Sequence, residues 1–221
     1  MSAMESVLIV VMGVSGTGKS TLGTALAASL HMPYIDGDDL HPRSNVNKMA
    51  AGRPLTDADR EPWLHAIRNT AERLVADQSV SGPARGDVAK GTETGSPTPH
   101  ASGVVVACSA LRRAYRDILR GFDVGAGGAD PDAQGARTVL PTYFVFIDGS
   151  REVLLERMLK RNGHFMKATM LDSQLTTLED PRSEEGVVVL SVQDTTQTQV
   201  EKAVGALKAF RQGYKDDHVD D

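Results

Sequence analysis

The 221-residue chain predicts a three-layer α/β fold, in which helices cover both faces of a parallel five-stranded sheet. Apolar strand-like segments alternate with segments that have the apolar spacing of helices, and this order is typical of strand–helix–strand crossovers. Residues 104–109 and 142–147 are largely apolar, as expected for strands buried on both faces. A glycine-rich sequence that fits a phosphate-binding loop follows the first strand directly.

These patterns predict five strands and seven helices in a single domain over residues 1–221. The strands are expected at residues 8–12, 33–36, 104–109, 142–147 and 186–192. The helices are expected at residues 19–31, 43–51, 57–77, 110–120, 150–161, 167–178 and 196–212.

Two segments interrupt this alternation. Residues 79–103 and 121–138 are rich in small and polar residues and have no apolar periodicity. Their composition predicts disordered surface insertions, with a binding role as the alternative. Residues 213–221 are expected to form an acidic, solvated tail.

The composition excludes several classes of protein. A net charge of −5 argues against non-specific binding of nucleic acid through a basic surface. No apolar segment is long enough to span a membrane, and the N-terminus lacks the pattern of a secretory leader. The single cysteine, Cys108, excludes an internal disulfide and fits a reducing compartment. We therefore expect a cytoplasmic protein without nucleic-acid or membrane partners.

The glycine-rich sequence between the first strand and first helix predicts a nucleoside triphosphate site. Glycines allow backbone N–H groups to approach phosphate oxygens, and the helix that follows directs its positive end toward the same anion. Lys19 would supply a charge near the β- and γ-phosphates, and the Ser20 hydroxyl would face Mg²⁺. The alternative is a plain glycine-rich turn. The predicted nucleotide-binding residues of this loop are Gly13, Val14, Ser15, Gly16, Thr17, Gly18, Lys19, Ser20 and Thr21.

Two carboxylates follow the second predicted strand, where parallel α/β sheets bind their ligands. Asp36 and Asp38 are alternate residues, so both could face one cleft and serve different partners. One could hold Mg²⁺ through water, and the other could accept the proton of an attacking hydroxyl. The alternative is a helix cap, which is our interpretation of Asp39.

Three further positions are candidates for contact with an acceptor substrate. Arg60 lies near a helix N-terminus, where a cation gains nothing from the helix dipole, so it is a candidate for gripping an anion. Ser109 ends the third strand and could contact Mg²⁺ or substrate. Arg116 follows it on a predicted helix. The alternative for both arginines is a solvated helix face.

A pair of arginines precedes a glycine in the second half of the chain. Arg157 and Arg161 are four residues apart on one helix face, and Gly163 follows them. This arrangement predicts a mobile lid over about residues 161–176, whose cations would meet the transferring phosphoryl group.

The chain resembles the gluconokinases, a family of P-loop small-molecule kinases related to shikimate and adenylate kinases. Matching blocks occur along the chain outside its ends and its two insertions, and several are more specific than the phosphate loop alone. The blocks span residues 12–21, 36–42, 47–52, 54–64, 108–111, 115–117 and 161–165.

The resemblance implies a P-loop kinase fold and transfer of the ATP γ-phosphoryl group to the 6-hydroxyl of D-gluconate, with Mg²⁺. It implies that Asp38 is the base, that Asp36 lies in the magnesium shell, that Arg157 lies by the adenine and that Arg161 lies by the phosphates. It also implies a helical substrate region over about residues 41–78 and a homodimer. The acceptor residues that it implies are Asp38, His41, Arg60 and Arg116, and Ser109 and His164 complete the predicted acceptor site.

Two other functions stay open at this point. One is a related kinase of shikimate or of a nucleoside monophosphate, although we identify no slot for an acceptor base. The other is a GTP-driven switch, which would need a guanine-reading Asn-Lys-x-Asp after a strand. Residues 47–50 read Asn-Lys-Met-Ala and lie in a predicted helix, so they do not fit.

Overall fold

The computed structural model describes residues 6–81, 102–122, 140–160 and 166–216. Its five strands form one parallel sheet in the order β2-β3-β1-β4-β5, which confirms the predicted fold class. The strands are β1 (Val7–Met12), β2 (Tyr34–Asp36), β3 (Gly103–Ala107), β4 (Thr142–Asp148) and β5 (Val187–Ser191). The helices are α1 (Lys19–Leu30), α2 (Arg43–Ala50), α3 (Asp57–Ser81), α4 (Arg113–Arg120), α5 (Arg151–Lys160), α6 (Met166–Thr177) and α7 (Thr196–Asp216).

The core consists of two apolar layers, one on each face of the sheet. All six residues of β1 are buried, and successive side chains alternate between the layers because a strand has a period of two. Ile9 and Val11 pack on the side of α1 and α7, whereas Val10 and Met12 pack on the side of α3 and α4. Burial on both faces explains why this strand reads as a continuous apolar segment.

The sheet order brings the carboxyl ends of β1, β2 and β3 together. Val11 of β1 and Asp36 of β2 both pair with Ala107 of β3. The segments that leave these three strands therefore emerge side by side at one edge of the sheet. This edge carries the phosphate-binding sequence, the two carboxylates and Ser109.

Several elements differ from the sequence-based expectation. The helix expected from residue 110 begins at Arg113, because Ala110 has a φ of 45° and Arg112 is extended. Residues 37–40 form a 3₁₀ turn that the sequence did not predict. Helix α3 continues to Ser81, and β3 begins at Gly103, so both ends of the first predicted insertion belong to regular elements.

The remainder of that insertion, residues 82–101, lies outside the described residues, as do 123–139 and 217–221. The predictions of disorder for these segments therefore stay predictions. In the part of the chain that is described, no helix is both long and apolar enough to cross a membrane.

Candidate active site

The loop between β1 and α1 has the backbone of an anion cradle. Gly13, Gly16 and Gly18 all have positive φ, at 141°, 84° and 96°. A Cβ on Gly16 would lie 2.7 Å from Cγ of Met158, so a larger residue at this position would force the loop away from α5. No side chain caps the N-terminus of α1 at Gly18. The N–H groups of this first turn can therefore face a phosphate.

Lys19 lies at the start of α1, inside this cradle. Its Nζ donates a hydrogen bond to the Val14 carbonyl, with a separation of 3.1 Å. Burial lowers the pKa of Lys19, and the nearby carboxylates of Asp38 and Asp36 act in the opposite direction. The Lys19 ammonium group is thus held against the loop, and the charges of the Asp36 and Asp38 carboxylates act on it.

A glutamine from α6 also reaches the loop, and the sequence did not point to it. Oε1 of Gln174 accepts a hydrogen bond from the Ser15 backbone N–H at 2.6 Å. The two residues are 159 positions apart, and a polar residue in a helix carries no local signal for such a contact. The bond ties α6, in the region predicted as the lid, to the phosphate loop.

Asp36 connects the phosphate loop with the segment that follows β2. Its Oδ2 accepts hydrogen bonds from the Ser20 hydroxyl at 2.9 Å and from the Tyr34 hydroxyl at 3.1 Å. Its Oδ1 accepts from the Asp38 backbone N–H at 3.1 Å, which caps the 3₁₀ turn. Burial is the main cause that raises the pKa of Tyr34 to about 12, so its hydroxyl stays a donor. The Asp36 carboxylate is therefore fixed beside Ser20.

Asp38 differs from Asp36 in being open to solvent. Its side chain is 85% exposed, and its Oδ1 lies 4.0 Å from Nε2 of His41. The close approach of the turn to β3 requires glycine at position 37, because a Cβ there would lie 2.5 Å from the Ala107 carbonyl oxygen. The turn therefore presents Asp38 to the cleft from a fixed backbone.

His41 is held rigidly behind Asp38. Its ring stacks on Trp63 with centroids 4.1 Å apart, and Trp63 Nε1 donates to the Gly37 carbonyl at 2.7 Å. Burial lowers the pKa of His41, Asp38 opposes that effect, and Arg60 adds to it. A neutral imidazole is thus favoured.

Arg60 lies at the start of α3, close enough to His41 for its charge to act on that ring. Its Nη1 donates to the Leu55 carbonyl at 2.5 Å, and its guanidinium carbon lies 5.8 Å from the centre of the Tyr115 ring. Arg60 Nη1 is also 3.9 Å from Asp57. Asp57 in turn accepts a hydrogen bond from Arg112 at 2.5 Å. The sequence pointed to Arg60, but not to Asp57 or Arg112 as its neighbours.

The expectation that Arg116 contacts substrate does not fit its surroundings. Arg116 is fully buried, and its Nε and Nη2 donate to the Glu184 carboxylate. Its Nη1 donates to the Ala110 carbonyl at 2.9 Å, and Nη2 also reaches the Glu179 carbonyl. In this conformation the guanidinium supports the backbone around Ala110. We therefore leave Arg116 out of the acceptor site.

The remaining predicted residues lie on the nucleotide side or outside the described chain. Ser109 is partly buried, and its carbonyl accepts from the Gly13 N–H at 3.4 Å, which places it at the phosphate loop. Arg157 Nη1 donates to the Val192 carbonyl at 2.5 Å, and its Nη2 is 3.6 Å from where a Cβ on Gly18 would stand. Arg161 and His164 lie outside the described residues.

A cavity of about 280 Å³ opens near Arg157, at the carboxyl ends of β4 and β5. Asp148, Ser150 and Val192 are among the residues that line it. Arg157 holds the carbonyl of Val192, which lines the cavity, and its Nη2 lies near Gly18 of the phosphate loop.

The described residues contain no group of three or more His, Cys, Asp or Glu side chains that could hold a metal ion. The Ser20 hydroxyl and the Asp36 carboxylate, which are hydrogen-bonded to each other, are oxygen donors that the cleft offers to a cation. Magnesium commonly takes one or two protein oxygens and completes its shell with water and phosphate. This donor set fits such a mode of binding.

Comparison with known proteins agrees with this geometry. A family model described as shikimate kinase matches residues 15–79. A gluconokinase from Gluconobacter oxydans is 42% identical over 83% of this chain and 81% of its own length, and one from Arabidopsis thaliana is 36% identical over 94% and 99%.

Solved structures give the same picture. A gluconokinase from Sinorhizobium meliloti superposes with a TM-score of 0.70 at 39% identity, covering 98% of this chain and 99% of that one. A shikimate kinase from Aquifex aeolicus is similar in fold, with a TM-score of 0.50 at 14% identity.

Proposed function

The chain belongs to the gluconokinase family. We propose that it binds ATP and D-gluconate side by side at the carboxyl ends of β1, β2 and β3. It is an ATP-dependent gluconokinase, because relatives of that name match most of the chain. Nothing supports shikimate or a nucleoside monophosphate as the acceptor. The likeness to shikimate kinase structures, at 14% identity, is one of fold.

The observation that carries the proposed mechanism is the hydrogen bond from Ser20 to Asp36. It joins the phosphate loop to the segment that bears Asp38, so the donor and acceptor sides share one fixed edge. Phosphoryl transfer depends mainly on alignment of the two reactants and on charge stabilisation. A rigid link between the two sides serves the first of these needs.

On the nucleotide side, the loop amides and the N-terminus of α1 would bind the phosphates, and Lys19 would balance their charge. Its place in the cradle and its distance of 3.1 Å to the Val14 carbonyl support this role. Arg157, beside Gly18 and the cavity near Val192, would lie close to the adenine. Arg161 and His164 keep the lid and acceptor roles that the resemblance implies, and these roles stay predictions.

Ser20 and Asp36 would hold Mg²⁺, Ser20 through its hydroxyl and Asp36 directly or through water. When bound, the cation neutralises charge on the β- and γ-phosphates. The chemistry of the two oxygen donors and their separation of 2.9 Å support this assignment. Tyr34 would keep the Asp36 carboxylate oriented.

On the acceptor side, Asp38 would accept the proton of the 6-hydroxyl. As the oxygen of that hydroxyl bonds to the γ-phosphorus, the bond from phosphorus to the bridging oxygen breaks, ADP leaves, and the proton passes to the Asp38 carboxylate. The exposure of Asp38 toward the cleft supports this role. His41, held neutral by burial, would offer a hydrogen bond to a hydroxyl of the sugar acid rather than a charge.

An assay that couples ADP release to a panel of acceptors tests the proposed function. We expect turnover with D-gluconate and none with shikimate or nucleoside monophosphates. The product should carry its phosphate on the 6-oxygen, which ³¹P–¹H correlation spectra can assign. Turnover of shikimate in preference to gluconate would contradict the proposal.

Three broader predictions accompany this function. We expect a homodimer, as the family resemblance implies, and sedimentation equilibrium measures it. We expect the enzyme in the cytoplasm, which fractionation tests. Binding of nucleic acid is not expected from the net charge of −5.

A further inference from the structure

Two arginines converge on one carboxylate at the acceptor side of the cleft. Arg112 Nη1 donates to Asp57 Oδ2 at 2.5 Å, and Arg60 Nη1 lies 3.9 Å from Asp57 Oδ1. The Tyr115 hydroxyl also bonds Asp57, and the Arg60 guanidinium lies over the Tyr115 ring. We refer to Asp57, Arg60, Arg112 and Tyr115 as the arginine cluster.

The cluster carries excess positive charge, and its Asp57–Arg112 end is open to solvent. Two guanidinium groups face a single carboxylate. The Arg112 side chain is 41% exposed and that of Asp57 is 57% exposed. Within the described part of the chain, Asp57 is the only hydrogen-bond partner of the Arg112 side chain. Most N–H donors of Arg112 therefore remain available to a ligand, and a guanidinium offers two parallel donors that match a carboxylate.

The cluster adjoins the proposed site without reaching Asp38. Asp38 lies 4.0 Å from His41, and the charge of Arg60 acts on His41. Arg60 lies over the Tyr115 ring, and the Tyr115 hydroxyl and Arg112 both donate hydrogen bonds to Asp57. These contacts connect Arg60 with Arg112. A six-carbon sugar acid that is phosphorylated on its 6-oxygen has its carboxylate at the opposite end. A base at one end and a cation at the other match that acceptor.

We propose that Arg112, together with Arg60, binds the carboxylate of the acceptor and so makes the enzyme specific for sugar acids over neutral sugars. Asp57 is the positioning residue that holds both guanidinium groups toward the cleft. The proposal rests on the gluconokinase reaction given above and assigns the Arg112 guanidinium to the carboxylate of its acceptor.

The loop before α4 supports this role. Arg112 is extended and follows Ala110, whose positive φ of 45° is unfavourable for a residue with a side chain. The buried Arg116 holds the Ala110 carbonyl at 2.9 Å. Backbone strain of this kind persists only where surrounding contacts enforce it. The result is that Arg112 leaves the loop in a fixed direction.

A purely structural role for the Asp57–Arg112 pair, as a link between α3 and the start of α4, is the competing explanation. Exposed ion pairs of this kind contribute little to stability. The Arg112 donors that Asp57 does not use can bind an acceptor carboxylate while the Asp57–Arg112 bond stays in place. The two explanations differ in whether the effect of losing Arg112 on kcat/KM depends on the charge of the acceptor.

The test compares D-gluconate with D-gluconamide, its neutral amide of equal length. Initial rates at subsaturating acceptor give kcat/KM for both compounds with the wild-type enzyme, Arg112→Gln and Arg113→Gln. Arg113 is the matched control, because it is the next residue, is 72% exposed and faces Asp117. Arg112→Lys retains the charge but loses the paired donors.

We expect Arg112→Gln to lower kcat/KM for gluconate by about 10–100-fold, as for a lost hydrogen bond to a charged group. The loss should lie in KM, with kcat within about twofold, because the carboxylate is remote from the reacting atoms. Gluconamide should change by less than about threefold. Arg113→Gln should change neither, and Arg112→Lys should restore part of the gluconate rate.

An equal loss for both acceptors, or no loss for gluconate, would overturn the proposal. Asp57→Asn provides a second route, since it should also reduce the preference for gluconate over gluconamide. If it leaves that preference unchanged, Asp57 has no positioning role. A wild-type enzyme that does not phosphorylate gluconate would instead overturn the assigned reaction, and that result is visible before any variant is made.

Discussion

The nucleotide side and the acceptor side of this cleft are built in different ways. The nucleotide side is a contiguous loop of backbone N–H groups, formed by glycines with positive φ and followed by a helix N-terminus. The acceptor side consists of charged side chains from the turn after β2, from α3 and from the start of α4. The first therefore depends on local conformation, whereas the second depends on packing between distant segments.

This difference predicts how each side responds to substitution. Backbone donors cannot be removed by changing a side chain, so the nucleotide side has few sensitive side chains, of which Lys19 is the main one. On the acceptor side, each side chain performs a separable task. Substitutions there should divide into effects on proton transfer, on acceptor affinity and on the stability of the supporting fold.

The largest effect is expected from Lys19→Ala. It removes the cation of the nucleotide cradle, and we expect kcat to fall by at least about 10³-fold while the unfolding transition stays cooperative. Steady-state kinetics and circular dichroism measure both. Lys48→Ala, which breaks an ion pair with Asp59 between α2 and α3, is the control and should keep most of the activity. Near-normal turnover of Lys19→Ala would contradict the assignment of the loop.

The next effect concerns the support beneath the acceptor side. Burial by itself raises the pKa of Glu184, but hydrogen bonds and charges from Arg116 and Arg120 lower it overall. Glu184→Gln leaves the buried Arg116 without its counter-charge, and we expect a loss of about 3–5 kcal/mol in the free energy of unfolding. Urea denaturation measures it, with the exposed neighbour Glu185→Gln as the control. A loss below about 1 kcal/mol would show that this pair does not support the loop.

A smaller effect is expected from His41 on stability against pH. Because burial lowers the pKa of His41 in the folded state, the unfolded chain binds protons more readily, starting near its ordinary pKa of about 6.5. Stability should therefore decline as the pH falls below that value. His41→Gln should flatten this part of the profile. Thermal unfolding between pH 5 and 8 tests it, and identical profiles for wild type and His41→Gln would refute the assignment.

The smallest effect is expected from deletion of residues 82–101. The described residues on either side are already joined, since the Gln78 amide exchanges hydrogen bonds with both backbone groups of Gly103. A shorter connection costs little chain entropy, so the free energy of unfolding should change by less than about 1 kcal/mol and kcat/KM by less than about threefold. The deletion combined with Gln78→Ala should destabilise further. A tenfold loss of activity in the deletion alone would show that the segment belongs to the working enzyme.

The sequence predicted the fold, and it pointed to the phosphate loop, because the signals for both are local. Continuous apolar strands, helical spacing and the phosphate-loop pattern each lie within a few neighbouring residues. Asp36 and Asp38 were also visible, because they end a strand. The structure brings both to the loop edge through the β2–β3–β1 order.

The rest depended on partners that are distant in sequence. Arg116 was expected in the acceptor site, but its partner Glu184 is 68 residues further along, and no local pattern reveals that pairing. The same holds for Asp57 with Arg112 and for Ser15 with Gln174, which are 55 and 159 residues apart. A sequence does not show whether an arginine on a helix is buried with a structural role or exposed and able to bind substrate. That distinction depends on the residues that pack around it.

The central claim is that Asp36 and Asp38, two residues apart, serve opposite sides of the cleft. It is tested most directly by measuring kcat for gluconate across a range of Mg²⁺ concentrations in Asp36→Asn and Asp38→Asn. We predict that Asp38→Asn loses about 10²–10⁴-fold in kcat at every Mg²⁺ concentration, because a general base has been removed. Asp36→Asn should instead require more Mg²⁺ and recover activity when it is supplied. Rescue of Asp38→Asn by Mg²⁺, with no rescue of Asp36→Asn, would reverse the two roles and contradict the account.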